Sequence, residues 1–485
     1  MDIRPATNTV HDHKDKPTVL IVGAGIGGLS LGILLQKADI LYEIFERTAE
    51  IKPLGSAISL NSTTAPFLRQ IGVYDEFHAV SKRMEAIQIA NENREIEFAM
   101  ADADLDQVER YGADARIVSR PILYSILLKQ VPKERIHLSK KVLSTQQGDK
   151  GVTITCSDGT QYKGDILVGA DRAYSAVRQN LYAQLKEKDL LPPSDGLPLP
   201  FSTVCLVGQT HPLDESQFPD IVKQDTQFMN ILSRDKPYYV MTFTTQQNCV
   251  CYAVIQYLTK ETSKEDDTFR QSEWGAEAAG TMCEEVRDFR IISGGKKLLT
   301  LGDLIDWTPK ELISKVMLEE KVFTTWSHDR TVLIGDACHK INPAGGAGAA
   351  NAIHDAIVLA NYIHAFRNNP TDQDIAKAFK AYKDERIEWV NSAFETSQAL
   401  KSMVDKGWKP RLIRLLVKYM PKFVNRAMEA RLCSNRPQVY FLPLDTTPAT
   451  LTPAPQPSLN ARDLFSREDD SRTTTRQRKK APASV

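Results

Sequence analysis

No excess charge of either sign runs through this chain of 485 residues, in which 61 Lys and Arg balance 61 Asp and Glu. A neutral total supplies no global field toward nucleic acid or an anionic surface, and a nucleic-acid partner is excluded on that ground. No run of about eighteen uninterrupted apolar residues occurs, so no segment reads as a membrane span. The opening MDIRPATNTVHDHKDKP has no apolar centre and does not read as a secretory signal. Residues 1–16 read instead as a flexible leader, with His11 and His13 solvated. Cysteine is sparse, seven in all, odd in number and scattered. Cys249 and Cys251 stand two apart in an apolar run, but no second Cys or His pair completes a metal site. The sequence therefore predicts buried reduced thiols, no metal and a reducing, cytoplasmic setting.

What is present is an ordinary globular composition, 42% hydrophobic and 25% charged, in a chain long enough for two or three structural units. A first α/β unit is expected over 17–200, resuming at 321–400. RIVSRPILYSILLKQVP places Ile122, Ile126, Leu127 and Leu128 at helical spacing. GVTITCSDGTQYKGDILVGA reads as strand, Asp-Gly turn, strand, and KEKDLLPPSDGLPLP as a linker. From 201 to 320, STVCLVG, YYVMTFTT and VCYAVIQYL are β-branched and aromatic runs of strand length, the mark of a second, sheet-rich domain. Part of its sheet is expected from within 80–130. A helical C-terminal region is expected over 401–435, and 436–485 reads as an extended, largely disordered tail.

The stretch TVLIVGAGIGGLSLGILLQKADILYEIFER, Thr18 to Arg47, carries the clearest chemistry. Thr18–Val22 reads as a buried strand and Ile26–Lys37 as the helix it feeds. Gly23 permits the tight turn, Gly25 lets backbone approach a pyrophosphate, and Gly28 lets helix and strand pack closely. The helix N-terminus offers N–H groups to the phosphates. Glu46, eighteen residues after Gly28, is placed to accept hydrogen bonds from an adenosine ribose, and Arg47 beside it to contact phosphates.

That motif alone does not choose between a nicotinamide and a flavin. Two distant segments bear on the choice. GDILVGADRAYSAVR sets Asp171 after a strand with Arg178 seven residues on, and VLIGDACHKINPAGGAGAANAIHDA sets Asp336 after another strand, ahead of a glycine-rich helix start. A second strand–acid–helix unit so far along suits a long ligand held at both ends. Together the three segments resemble the single-component (group A) FAD-dependent monooxygenases, the aromatic hydroxylases and related epoxidases, and most of all their fungal secondary-metabolism branch.

The resemblance implies a Rossmann-like FAD-binding domain of the glutathione-reductase type, with an inserted sheet-rich substrate domain and a C-terminal helical region. It implies that Gly23, Gly25, Gly28 and Glu46 hold the ADP half of FAD. Arg120 would reach the flavin's linker, Asp336 would bind the ribityl chain, and Gly348 and Ala349 would offer N–H groups near the isoalloxazine. Ala57 would turn its backbone to the cofactor, and Asp171 with Arg178 would form the middle motif, associated with FAD and nicotinamide alike. Two departures stand out. Arg172 occupies a place where the family carries glycine, free to take positive φ, and Ala347-Gly348 replaces a Gln-Gly pair.

The implied cycle uses NAD(P)H as a transient reductant of FAD. O2 then adds to the reduced ring, and the flavin hydroperoxide hydroxylates or epoxidises an electron-rich phenolic or polyene/terpenoid small molecule. No second GxGxxG with a following acid supports a resident nicotinamide domain, and the Trp-x-Trp-x-Ile-Pro segment of the flavin halogenases is missing. For a substrate-side base, Tyr238, Tyr239, His211 and Tyr252 are candidates by composition. A flavin dehydrogenase or reductase without oxygen activation, and a non-catalytic FAD-binding redox scaffold, remain as alternatives. KPRLIRLLVKYMPKFVNRAMEARL is basic and amphipathic, suited either to packing on the FAD domain or to a membrane-surface contact. Monomer and homodimer both stay open.

Overall fold

A computed structural model describes residues 16–51, 56–100, 106–148, 151–233, 236–257, 276–291, 298–342, 346–366, 370–404 and 408–465. All of the expected leader but Lys16, and the last twenty residues of the expected tail, lie outside them.

The glycine-turn unit forms where its pattern places it. Strand Thr18–Val22 is followed by helix Ile26–Lys37 and strand Leu41–Phe45. Both strands are buried on nearly every residue because parallel strands here are covered on both faces. They sit at the centre of a six-stranded sheet whose order is Ser327–His328, Thr331–Leu333, Ile166–Gly169, Thr18–Val22, Leu41–Phe45, Ile136–His137. All neighbours run parallel except the first pair. Ligand-bearing loops of such a sheet gather at the carboxyl ends of its strands. Three of these ends carry Gly23, Ala170-Asp171 and Gly335-Asp336. The Asp-Gly turn pairs Gly151–Cys156 antiparallel with Gln161–Gly164, in a small sheet beside the main one.

A seven-stranded sheet forms the second layer, in the order Ser314–Glu319, Phe201–Gln209, Val250–Tyr257, Tyr238–Thr244, Phe228–Leu232, Ile87–Asn91, Ile96–Met100. Its last two strands come from the first part of the chain, through a parallel pairing of Phe228–Leu232 with Ile87–Asn91. Alternation divides its side chains between two cores. One holds Tyr238, Val240, Tyr252 and Val254 under helices Ala276–Val286 and Leu301–Asp306. The other holds Phe228, Tyr239, Met241, Phe243 and Cys251 and packs against Ala57 and Ile117, from the strands Ala57–Leu60 and Arg116–Ser119.

Helix Gly348–Ala365 is buried along almost its whole length against Ile26–Lys37, and Asp372–Val404, Trp408–Lys418 and Lys422–Ser434 follow. The expectation of a largely disordered tail does not hold for 436–465. This segment is extended but fixed, with Val439 and Ala461 fully buried. Amide side chains stand in for strand partners. Gln70 accepts from the Val439 N–H at 3.0 Å and donates to its carbonyl at 2.9 Å. Asn361 accepts from Tyr440 N–H at 3.1 Å and donates to Gln438 at 2.8 Å. Proline-rich composition signals only that the stretch lacks local hydrogen bonds, not that distant side chains cannot supply them. No described helix is long and apolar enough to cross a membrane.

Candidate functional site

Three glycines with three different surroundings make the first turn. Gly23 has φ +106°, and a Cβ there would lie 2.4 Å from the Ala170 carbonyl oxygen. A Cβ on Gly28 would lie 2.0 Å from the Gly23 carbonyl oxygen. Both are contacts that no other residue tolerates. Gly25 differs: its φ is −77°, and a Cβ would meet nothing within 4 Å. Its backbone faces open space. At this turn the Glu46 carboxylate accepts from Ala24 N–H at 3.1 Å and from the Thr48 N–H and hydroxyl at 3.2 and 3.1 Å. Arg47 is exposed.

Helix Arg120–Leu128 links this turn to the later one. The Tyr124 hydroxyl donates to the Ala24 carbonyl. Burial raises its pKa, and the nearby Glu46 charge adds to the shift. One turn earlier, Arg120 is depressed by burial and by the Arg172 cation, while Asp336 opposes both. Neither the Arg120 nor the Arg172 guanidinium has a hydrogen-bond or ion-pair partner among the described residues. Arg120 and Tyr124, one turn apart on this helix, thus feel the charges of Asp336 and Glu46 respectively.

Asp336 sits in the turn Gly335–Ala337, with a third of its side chain open to solvent and Lys340 Nζ at 2.6 Å. Burial would push its carboxyl up, but Lys340, His339 and Arg120 outweigh that and hold it below the usual range, ionised. Two close approaches fix the distance between the turns. A Cβ on Gly27 would lie 3.3 Å, and one on Gly335 3.1 Å, from the same Ala352 methyl. Gly346, at φ +60°, passes so near Ser59 that a Cβ would lie 2.3 Å from its hydroxyl. Gly348 and Ala349 open helix Gly348–Ala365, which has no acid in its first turn to occupy its N–H groups. Ala57 opens the strand Ala57–Leu60, which packs against this helix.

The middle motif divides its work. Asp171 accepts from Ala176 and Val177 N–H at 2.7 and 3.3 Å with one oxygen, capping helix Ala176–Glu187, while its Oδ1 is buried without a partner. Arg172 takes φ +72°, the conformation for which glycine is the easy residue. Arg178 turns inward, donates to Ala337 O at 2.8 Å and lies 4.2 Å from the Phe323 ring centre. It is a strut between two loops.

Behind Asp336, Cys338, His339 and Asp355 bring ligand atoms within 4.8 Å of one another. Asp355 is already engaged by His339 at 2.6 Å, Arg386 at 2.8 Å and Gly335 N–H at 2.8 Å. Burial drives the Cys338 thiol well up, so it stays protonated. A guanidinium in a cation's place makes this donor set a brace for the turn.

The chain matches the model of the FAD binding domain over residues 16–397. It is 30% identical over 398 residues to the FAD-dependent monooxygenase ptmM of Penicillium ochrochloron, covering 80% of this chain and 89% of that one. With penM of Penicillium crustosum it is 31% identical over 394 residues, covering 80% and 78%. This chain belongs to the FAD binding domain family. It is an FAD-dependent oxidoreductase of the monooxygenase kind, FAD is its cofactor, and NAD(P)H is the reductant typical of the family. The fold is shared with Klebsiella pneumoniae HpxO, complexed with FAD and uric acid, at a TM-score of 0.66 and 20% identity over 86% of this chain and 96% of that one.

The residues fit such a cofactor: open space at Gly25, unpartnered cations at Arg120 and Arg172, and the Glu46 and Asp336 carboxylates at the first and last of the three turns. Of the substrate-side candidates, Tyr239 faces the core shared with Ala57. Tyr238 and Tyr252 point to the opposite core, under the helices. His211 is exposed and bonded to the Trp307 carbonyl at 2.7 Å. Sequence reasoning missed Tyr124, which stands four residues after Arg120 and was legible by helical spacing. It also missed Asn230, whose Oδ1 is buried without a partner, between Ile89 and Met241 by strand register.

Proposed function

We propose that this protein uses NAD(P)H and O2 to hydroxylate or epoxidise an electron-rich, largely apolar small molecule, phenolic or polyene/terpenoid. When bound, FAD supplies the redox chemistry, accepting electrons from NAD(P)H and passing them to O2. Gly23, Gly25 and Gly28, with the helix they open, receive its pyrophosphate. Glu46 takes the adenosine ribose, Arg120 and Arg172 balance the phosphates, and Asp336 accepts from the polyol chain. The Gly348 and Ala349 N–H groups meet the electron-rich ring edge.

The substrate lies against Phe228, Tyr239, Met241 and Phe243, a surface that excludes water. Asn230 Oδ1, on the same face, accepts a hydrogen bond from a substrate hydroxyl, since a buried acceptor without a donor is otherwise costly. The observation that carries this reading is the shared packing of Gly27 and Gly335 on Ala352, which holds the nucleoside end and the reactive end within one coenzyme's reach.

Purified protein should show oxidised-flavin absorption bands released on denaturation, and NAD(P)H oxidation coupled to O2 uptake that apolar phenols or polyenes stimulate. A colourless protein that fails to bind added FAD overturns the site. A flavoprotein that reduces its substrate with no O2 uptake overturns the oxygenation and leaves a dehydrogenase.

A further inference from the structure

Helices Trp408–Lys418 and Lys422–Ser434 carry the densest group of exposed large apolar side chains among the described residues. Trp408 is 70% exposed, Leu416 63%, Tyr419 71% and Phe423 74%, with Leu412 and Leu415 about half. Positions 408, 412, 415, 416 and 419 follow the helical repeat and form one stripe. The opposite face holds the helix down. Pro410 is buried, and Arg414 donates to the Met403 carbonyl at 2.7 Å and lies 3.8 Å from Glu97, on the edge strand of the seven-stranded sheet. The stripe is therefore the outer face of a seated helix.

Cations border it. Lys409, Arg411 and Lys418 are exposed. Between 408 and 434 there are seven Lys or Arg and a single acid, Glu429, in a chain that is neutral overall. Lys409 and Lys418 each sit 5.8 Å from the ring of the adjacent Trp408 or Tyr419. Aromatic and leucine side chains ringed by ammonium and guanidinium groups match the two layers of a bilayer surface, acyl boundary and phosphate.

We infer that this face docks on an anionic lipid bilayer, its helices lying in the plane of the headgroups. A second copy of the chain is the poorer partner, because pairing two such faces brings cation against cation, whereas anionic headgroups neutralise them. Docking sets the edge strand Ile96–Met100 at the lipid surface. Only the purpose of this arrangement, capture of an apolar substrate from the bilayer, rests on the proposed function. The contact itself does not.

The flavin-loaded full chain is mixed with phosphatidylcholine vesicles, with and without phosphatidylserine, and floated on a density gradient. Flotation with the anionic vesicles is expected, falling roughly tenfold without phosphatidylserine or at high salt. A similar fall is expected for the double variant Leu416→Asp/Phe423→Asp, whose flavin content and unfolding temperature stay unchanged because both side chains are exposed. A blue shift of tryptophan emission on vesicle addition, missing in Trp408→Phe, reads the same contact without a charge in the apolar face. Absence of flotation with either vesicle overturns the inference. So does self-association that the double variant abolishes in a protein that no vesicle retains, which assigns the face to a second copy.

Discussion

Alanine at Gly25 and alanine at Gly28 separate a glycine that serves a ligand from one that serves the fold. At Gly25 the backbone is extended and a new methyl meets nothing within 4 Å. The reduced freedom of the unfolded chain stabilises by about 0.4–1 kcal/mol, and the poorer helix N-cap costs about as much. The apoprotein should therefore unfold within about 1 kcal/mol of the parent. On the proposed reading the methyl occupies the space through which a pyrophosphate reaches the turn, so FAD affinity should fall at least a hundredfold, about 2.7 kcal/mol. At Gly28 the methyl would sit 2.0 Å from the Gly23 carbonyl oxygen. Strand and helix must part, and about 1–3 kcal/mol of stability goes with the fold itself. Quenching of FAD fluorescence gives the affinity, and thermal unfolding of the stripped protein gives the stability. Parental FAD affinity in Gly25→Ala, with an intact fold, would refute the assignment of that space to the cofactor.

Asp336→Asn keeps the shape but removes the charge that faces Lys340 and Arg120; the purified variant should retain little flavin while its apoprotein folds, and full occupancy would remove Asp336 from the site. Arg172→Gly releases the φ +72° strain, raising apoprotein stability by up to about 1 kcal/mol, while FAD binds about tenfold more weakly for want of one charge-assisted hydrogen bond; unchanged affinity on titration would make Arg172 a surface residue. Asn230→Leu removes a buried unpaired acceptor, so stability rises by about 1 kcal/mol while KM for a hydroxylated substrate increases; an unaltered KM would show that the substrate does not use it. His354 is buried against the Thr63 carbonyl, and burial, then Arg386, lowers its pKa to about 3. The unfolded chain, titrating near ~6.5, binds a proton that the folded state refuses. Stability should fall as pH drops through that interval, by up to about 1.4 kcal/mol per pH unit, and His354→Gln should flatten the slope in unfolding titrations.

The limits of Thr18–Val22 and Ile26–Lys37 were legible to the residue, because glycine spacing and apolar periodicity are local signals. So was the placement of Asp336 just past a strand. The role of Arg178 was not: its acceptor, the Ala337 carbonyl, lies 159 residues away, and no local pattern encodes such a strut. Tyr238 and Tyr239 read alike in sequence. Which one faces the Ala57 side depends on strand register and on which face helix Ala276–Val286 covers. Positive φ at Arg172 was readable from the position it fills, although not from arginine itself, which rarely adopts it.

The bracing of helix Gly348–Ala365 by residues 436–465 sets an order of assembly. Asn361 in that helix finds its backbone partners at Gln438 and Tyr440, so the first-made strands dock against a helix whose outer side stays wet until some seventy further residues have left the ribosome. During synthesis at about 5–20 residues per second, the nascent chain spends several seconds with Asn361 lacking those backbone partners, and a chaperone has its window there.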